Sequence, residues 1–159
     1  MGKKTEGDAG MNLSFRKMTS EDAAAVETVE KACFSIPWSR ESFWEEAANE
    51  KAYYLLVLDG ETVIGYAGTW ILLDEAHITN VAISPQYRGK GVGWQMMQEL
   101  KRIVIGFGVT SMTLEVRPSN TVAISMYEKM GFKSAGLRPG YYQDTGEAAM
   151  IMWLTQLSE

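Results

Sequence analysis

Arg88, Gly89, Lys90, Gly91, Val92, Gly93 and Trp94 combine residue types and spacing that suggest chemistry before any fold is assumed. An apolar run from Asn80 precedes them, Ser84-Pro85 turns the chain, and a helical pattern follows. In that pattern Val92, Met96, Leu100, Val104 and Phe107 fall close to one face. A strand that feeds a glycine-rich basic loop and then a helix start is an anion site. The first N–H groups of a helix have no partner within it, and the dipole adds partial positive charge there. Glycines let the backbone approach a phosphate, and Arg88 and Lys90 add full charges. The loop is not a P-loop, because Gly91 stands where Ser or Thr should follow the lysine. Nor is it the dinucleotide fingerprint, since it reads G-x-G-x-G rather than G-x-G-x-x-G. Taken alone, it is equally a tight turn capping an ordinary helix.

Two further side chains can move protons. Glu115 lies near the end of an apolar strand pattern, where a carboxylate can receive a proton or can pair with Arg117 on the same face. Tyr127, with an ordinary pKa near about 10, can give one. It also sits on the apolar stripe Ala123, Tyr127, Met130 and reads equally as core. Asn120 reads as a helix cap. Pro37-Trp38 and Tyr141-Tyr142 are aromatic loop pieces that either flank a groove or plug the core. Cys33, the single cysteine, falls with Val26, Val29 and Phe34 on one helix side and reads as a buried structural thiol. His77 is the single histidine; with no second ligand near it, no metal site is expected.

The elements that must position these residues follow from pattern. Residues 1–10 are polar, without periodicity, and read as a disordered tail, leaving 11–159 as a single domain. Leu13 and Phe15 alternate as in a strand. Thr19 with Asp22 opens a helix whose inner face is Ala23, Val26, Val29 and Cys33. Pro37 breaks that helix, Ser39 caps the next, and Trp38 staples onto Phe43. Asp59-Gly60 marks a hairpin and Asp74-Glu75 a second turn. After the Trp94 to Phe107 helix come a strand from Thr110 to Val116 and a helix to Met130, stopped by Gly131. Strands from Phe132 to Arg138 and Ala148 to Leu154 close the chain, joined by a long loop, Pro139 to Glu147. The expected architecture is α/β: one mixed sheet with helices on both faces, in the order β-α-α-β-β-β-α-β-α-β-β.

With 159 residues, 46% of them hydrophobic and 22% charged, the chain is an ordinary globular domain with room for a core. A net charge of −5 argues against nucleic acid as a direct partner and suits a basic peptide. No membrane-length apolar run or secretory signal is visible, so a cytoplasmic location without membrane contact is expected.

The R-x-x-G-x-G pattern of Arg88, Gly91 and Gly93 resembles the pyrophosphate loop of the GNAT acetyltransferases, and the order of elements from Met11 to Leu157 resembles their fold. Leu114-Glu115-Val116-Arg117-Pro118-Ser119-Asn120 is similar to the L-E-V-R-x-S-N segment of the ribosomal-protein alanine acetyltransferases, the RimI type. Ala123 to Phe132 resembles their A-x-x-x-Y-x-x-x-G-F helix exit. Phe34 to Ser39, Leu73 to Ala76 and the Tyr141-Tyr142 pair match their substrate-side segments. Gly89 and Trp94 depart from it, standing where better-known members often carry basic residues.

The resemblance implies acetyl-CoA as co-substrate and no metal. It implies backbone contacts from Val81, Ala82 and Ile83 to the pantetheine, phosphate contacts from Arg88, Gly89, Lys90, Gly91, Val92, Gly93 and Trp94, and a hydrogen bond from Asn120. It makes Glu115 the base, Tyr127 the acid beside the thioester sulfur, and Pro37, Trp38, Tyr141 and Tyr142 the walls of the peptide groove. The implied acceptor is the basic N-terminal peptide of a ribosomal protein, in particular the N-terminal alanine of the eighteenth small-subunit protein, with the enzyme a monomer or weak homodimer. A small amine or antibiotic is the alternative acceptor. A non-catalytic acyl-CoA-binding module is the alternative of a different class, and the presence of both Glu115 and Tyr127 argues against it.

Overall fold

The computed structural model describes residues 3–5 and 10–158. In chain order the elements are β1 (Lys3–Thr5), β2 (Leu13–Lys17), a 3-10 turn (Ser20–Asp22), α1 (Ala23–Cys33), α2 (Arg40–Ala48), β3 (Ala52–Asp59), β4 (Thr62–Leu72) and β5 (Glu75–Ile83). A 3-10 turn (Pro85–Tyr87), α3 (Val92–Gly106), β6 (Ser111–Val116), α4 (Thr121–Met130), β7 (Lys133–Arg138) and β8 (Ala149–Leu154) follow. They build one eight-stranded sheet in the order β1-β2-β3-β4-β5-β6-β8-β7. β5 and β6 are its parallel pair; the other neighbours run antiparallel. A parallel neighbour needs a crossover, and α3 supplies it.

Period-two alternation along β3 explains why both faces are covered. Leu55 and Val57 join the cluster under α3 and α4, with Val92, Met96, Leu100, Val104 and Met130. Tyr54, Leu56 and Leu58 join the cluster under α1 and α2, with Val26, Val29, Phe43 and Tyr66. Each fully buried side chain of this size stabilises the fold by about 1.5–3 kcal/mol relative to exposure. The expected caps form: Ser39 Oγ accepts from Ser42 N–H at 3.2 Å, and Asn120 Oδ1 from Ala123 N–H at 3.2 Å. The Trp38 ring lies 5.7 Å from Phe43.

Three expectations change. Lys3–Thr5 pairs with β2, so that piece is a strand rather than disordered tail; Met1, Gly2 and residues 6–9 lie outside the described residues. Phe107 is not on the inner face of α3. The helix ends at Gly106, and Phe107 turns outward, 57% exposed, against the Tyr53 ring. Cys33 is only half-buried, and its thiol donates to the Ile83 carbonyl at 3.3 Å. Burial pushes that thiol up, away from the reactive thiolate.

Candidate active site

The site begins where two strands part. β5 and β6 pair from Glu75↔Ser111 only to His77↔Thr113. Beyond that, β5 stays bound to β4 as far as Ile83↔Gly65, and β6 stays bound to β8 as far as Val116↔Met150. Thr79 is an extra residue in β5, since Gly68 pairs with Asn80 and Thr69 with Ile78, and such a bulge bends its strand. The result is a wedge between the ends of β5 and β6. Backbone groups that point into the wedge lack a sheet partner and can pair with an inserted extended chain. Val81, Ala82 and Ile83 line it on the β5 side. Ile83 is partly occupied already, because its carbonyl accepts from Arg88 Nε at 3.0 Å as well as from Cys33.

At the wedge's end the chain enters the glycine loop. Gly89 and Gly91 have φ of +76° and +79°, a region L side chains rarely adopt, and Gly91 is the N-cap of α3. The first bond of the helix runs from Gln95 N–H to Gly91 C=O at 3.1 Å. The N–H groups of Val92, Gly93 and Trp94 therefore open outward with no acidic residue in the turn. Tyr87, whose hydroxyl donates to Asp59 at 2.7 Å, ties the loop to the β3–β4 hairpin, and Lys90 lies 5.9 Å from the Tyr87 ring centre. These features fit a pyrophosphate. Next to them, Trp94, Thr121, Val122, Ser125, Met126 and Lys129 line an open groove of about 620 Å³ between α3 and α4. Of these only Trp94 was expected at a ligand site; exposed Val122 is the signal the sequence does not display. A second groove, about 570 Å³, lies between α1 and α2 around Ala24, Arg40 and Trp44, on surfaces that carry none of this chemistry.

Tyr127 projects from α4 into the core and is 5% exposed. Burial, helped by neighbouring Tyr142, pushes its phenol up to about 12, so it stays protonated at any physiological pH. Its hydroxyl has no hydrogen-bond partner among the described residues, consistent with a donor held for a ligand. Gly131, at φ +107°, stops the helix and lets Phe132 N–H reach the Tyr127 carbonyl at 3.0 Å, and the two rings pack at 5.6 Å.

Glu115 faces the α1–α2 side of β6, since Leu114 and Val116 belong to the opposite cluster. It does not pair with Arg117. Its carboxylate lies 3.6 Å from Arg138 on β7. Arg117 instead holds the loop between β7 and β8: it bonds Asp144 at 2.8 and 2.9 Å and Thr145 at 3.2 Å, and lies 3.9 Å from the Tyr142 ring centre. Arg117 holds the Asp144 carboxyl below its ordinary range, and burial pushes the Tyr142 phenol up to about 12. Ser35 Oγ donates to Asp144 at 3.2 Å, linking this loop to the α1–α2 segment that carries Pro37 and Trp38. The Trp38 N–H donates to Glu30 at 3.0 Å. Pro37 is exposed and Trp38 half-buried. Asn120 caps α4, which occupies its carbonyl. His77 sits beside Glu75 at 3.1 Å, and among the described residues no cluster could hold a metal ion.

A wedge in a mixed sheet, a helix-start anion cradle at its end and a buried phenol define an acyl-CoA-dependent acyltransferase of the GNAT type. Residues 23–132 match the acetyltransferase (GNAT) family, and the chain belongs to that family and is an N-acetyltransferase. Members of this family draw their acetyl group from acetyl-CoA. The chain is 39% identical over 143 residues to a Bacillus subtilis protein named, provisionally, a [ribosomal protein bS18]-alanine N-acetyltransferase, covering 89% of this chain and 95% of that one. It is 33% identical to the Escherichia coli protein of the same name, covering 89% and 96%. The crystal structure of the Escherichia coli ribosomal-protein-S18-alanine N-acetyltransferase superposes with a TM-score of 0.85 at 31% identity, over 92% and 95% of the two chains. Among the described residues no helix is long and apolar enough to cross a membrane.

Proposed function

We propose that this protein acetylates the N-terminal α-amine of a protein chain, with the N-terminal alanine of ribosomal protein bS18 as its acceptor. The observation that carries the reading is the placement of Glu115 and Tyr127 on opposite sides of one wedge, in a chain whose relatives are named for that reaction. Acetyl-CoA supplies the thioester. Val81, Ala82 and Ile83 hold its pantetheine arm, while the N–H groups of Val92, Gly93 and Trp94, with Arg88, Gly89, Lys90 and Gly91, hold the phosphates. The Asn120 amide N–H groups, left over after its carbonyl caps α4, reach the same ligand.

The acceptor must attack as a neutral amine. For an α-amine this costs about 1 kcal/mol at pH 7, against about 5 kcal/mol for lysine. A carboxylate such as Glu115, acting directly or through one water, meets the smaller demand. As the C–N bond forms and the C–S bond breaks, the Glu115 carboxylate takes a proton from nitrogen and Tyr127 gives one to sulfur. Pro37, Trp38, Tyr141 and Tyr142 form the groove walls. The carboxylates of Asp144, Glu147 and Glu115 around the mouth favour a basic peptide, and such a substrate places the protein in the cytoplasm. It works as a monomer or weak homodimer, since every proposed site residue comes from one chain.

The test is thiol release from acetyl-CoA with three acceptors: an Ala-started basic peptide, the same peptide with a blocked N-terminus and an internal lysine, and a polyamine. Release with the free N-terminus alone is the expected result. Preference for the polyamine would move the assignment to small amines, and no release with any acceptor would leave an acyl-CoA-binding module.

A further inference from the structure

The mechanism above leaves one buried carboxylate without a task. Glu30 is 1% exposed on the inner face of α1, where a helix normally places apolar residues. It accepts from the Tyr66 hydroxyl and from Trp38 N–H. Tyr66, fully buried on β4, accepts in turn from Asn80 Nδ2 at 3.1 Å. The direction of this chain is fixed by proton count. The tyrosine has one proton and gives it to the carboxylate, so only the NH₂ end of the Asn80 amide can face it. Asn80 Oδ1 is left as a free acceptor, with no partner among the described residues.

Asn80 lies in the wedge. The β5–β6 register runs from Glu75↔Ser111 to His77↔Thr113, and carrying it past the extra residue Thr79 sets Asn80 across the gap from Glu115. Both side chains lie on the α1–α2 side of the sheet: Asn80 through its bond to Tyr66, Glu115 by alternation with Leu114 and Val116. A primary amine that directs its lone pair at a thioester must place its N–H groups on acceptors beside the wedge. Resting on the amine-acetylation reading, we propose that Asn80 Oδ1 receives one N–H of the acceptor amine, and that Glu30 and Tyr66 are positioning residues that hold the amide in that orientation. Because Glu30 also holds Trp38 N–H, the same carboxylate sets both the amine acceptor and the groove wall.

The experiment compares wild type, Asn80→Ala, Tyr66→Phe and the double variant, using whichever amine of the three-acceptor panel wild type acetylates. Asn80→Ala should lower kcat/KM for the amine about 10-fold, the order expected for a lost hydrogen bond to a charged or charging group. Its acetyl-CoA Kd and Tm should stay close to wild type. Tyr66→Phe should give a smaller loss in the same direction, and the double variant should be no worse than Asn80→Ala, since without the amide there is nothing left to orient. Unchanged amine kinetics in Asn80→Ala would overturn the proposal. So would losses that simply multiply in the double variant, or an equal fall in acetyl-CoA affinity, which mark a structural role. A wild type active only on the polyamine removes the N-terminal reading but leaves this test in force; a wild type inactive on every amine removes both.

Discussion

The Glu115 carboxylate lies 3.6 Å from the Arg138 guanidinium on β7, while Arg117, two residues along its own strand, is held by Asp144 at 2.8 Å. The two arginines thus divide the work: one neutralises part of the charge at the candidate base, and the other clamps the loop that carries Tyr141 and Tyr142. Arg117→Lys keeps the charge but loses the fork that bonds Asp144 through two contacts and stacks on Tyr142. Its kcat/KM for the peptide should fall about 10-fold, mostly through KM, with acetyl-CoA affinity unchanged. Hydrogen exchange in 139–147 should speed up in parallel. Peptide kinetics equal to wild type would show that the clamp does not shape the groove.

The glycine loop separates binding from folding if the right glycine is chosen. Gly91→Val places a branched side chain at φ +79° and should cost about 1–2 kcal/mol of stability as well as cofactor affinity. Gly93 is the cleaner probe. Its φ is not positive, and an added Cβ would meet Met126 Sδ only at 3.6 Å, an ordinary contact. Gly93→Val should keep Tm near wild type while raising the acetyl-CoA Kd about 10-fold or more by calorimetry. An unchanged Kd would place the phosphates elsewhere.

Tyr127→Phe keeps the ring against Phe132 and removes the proton donor. Turnover should drop about 100-fold at constant cofactor affinity. Because burial raises this phenol to about 12, the protonated donor persists below that value. Wild-type turnover should therefore show no Tyr127-dependent decline between pH 7 and about 10. A near-wild-type rate for the phenylalanine variant would leave Tyr127 as core.

Stability should carry an acid signature at Asp22. Arg16 bonds both its oxygens at 2.8 Å, Thr19 N–H adds a third bond, and these hold the carboxyl below its ordinary range. A depressed folded-state pKa stabilises above the unfolded value, about 4, and that stabilisation is lost as pH falls through the folded one. Asp22→Asn should cost about 1 kcal/mol at pH 7 in denaturant melts, and the difference should shrink below pH 4. A difference independent of pH would assign the effect to packing.

Much of this was legible because the local signals are chemical. The glycines of the α3 start, the caps Ser39 and Asn120, the Gly131 stop and the alternation of β3 each constrain the backbone directly. What the sequence hid are relationships set by register. No pattern in 75–83 reveals that Thr79 is an unpaired extra residue, so neither the position of Asn80 across from Glu115 nor the early end of the β5–β6 pairing could be read. The Glu115–Arg138 pair depends on β7 and β8 meeting β6 and is likewise non-local. Glu30 is the exception. Val26, Val29 and Cys33 frame it on one helical stripe, and a carboxylate there is a readable sign of a buried polar network. Phe107 misled because it keeps the helical spacing one residue beyond where Gly106 ends the helix.

The central claim, an α-amine acceptor served by Glu115, is tested most directly by a pH–rate profile of wild type and Glu115→Gln on an Ala-started basic peptide, beside the same peptide with a blocked N-terminus. Glutamine keeps the shape and cannot take a proton. Its deficit should be largest at low pH, where little α-amine is neutral, and should shrink toward pH 9 as the amine, with an ordinary pKa near about 8, deprotonates unaided. The blocked peptide should remain unmodified throughout. A deficit independent of pH would remove Glu115 from proton transfer, and acetylation of the blocked peptide at a comparable rate would contradict the N-terminal assignment outright.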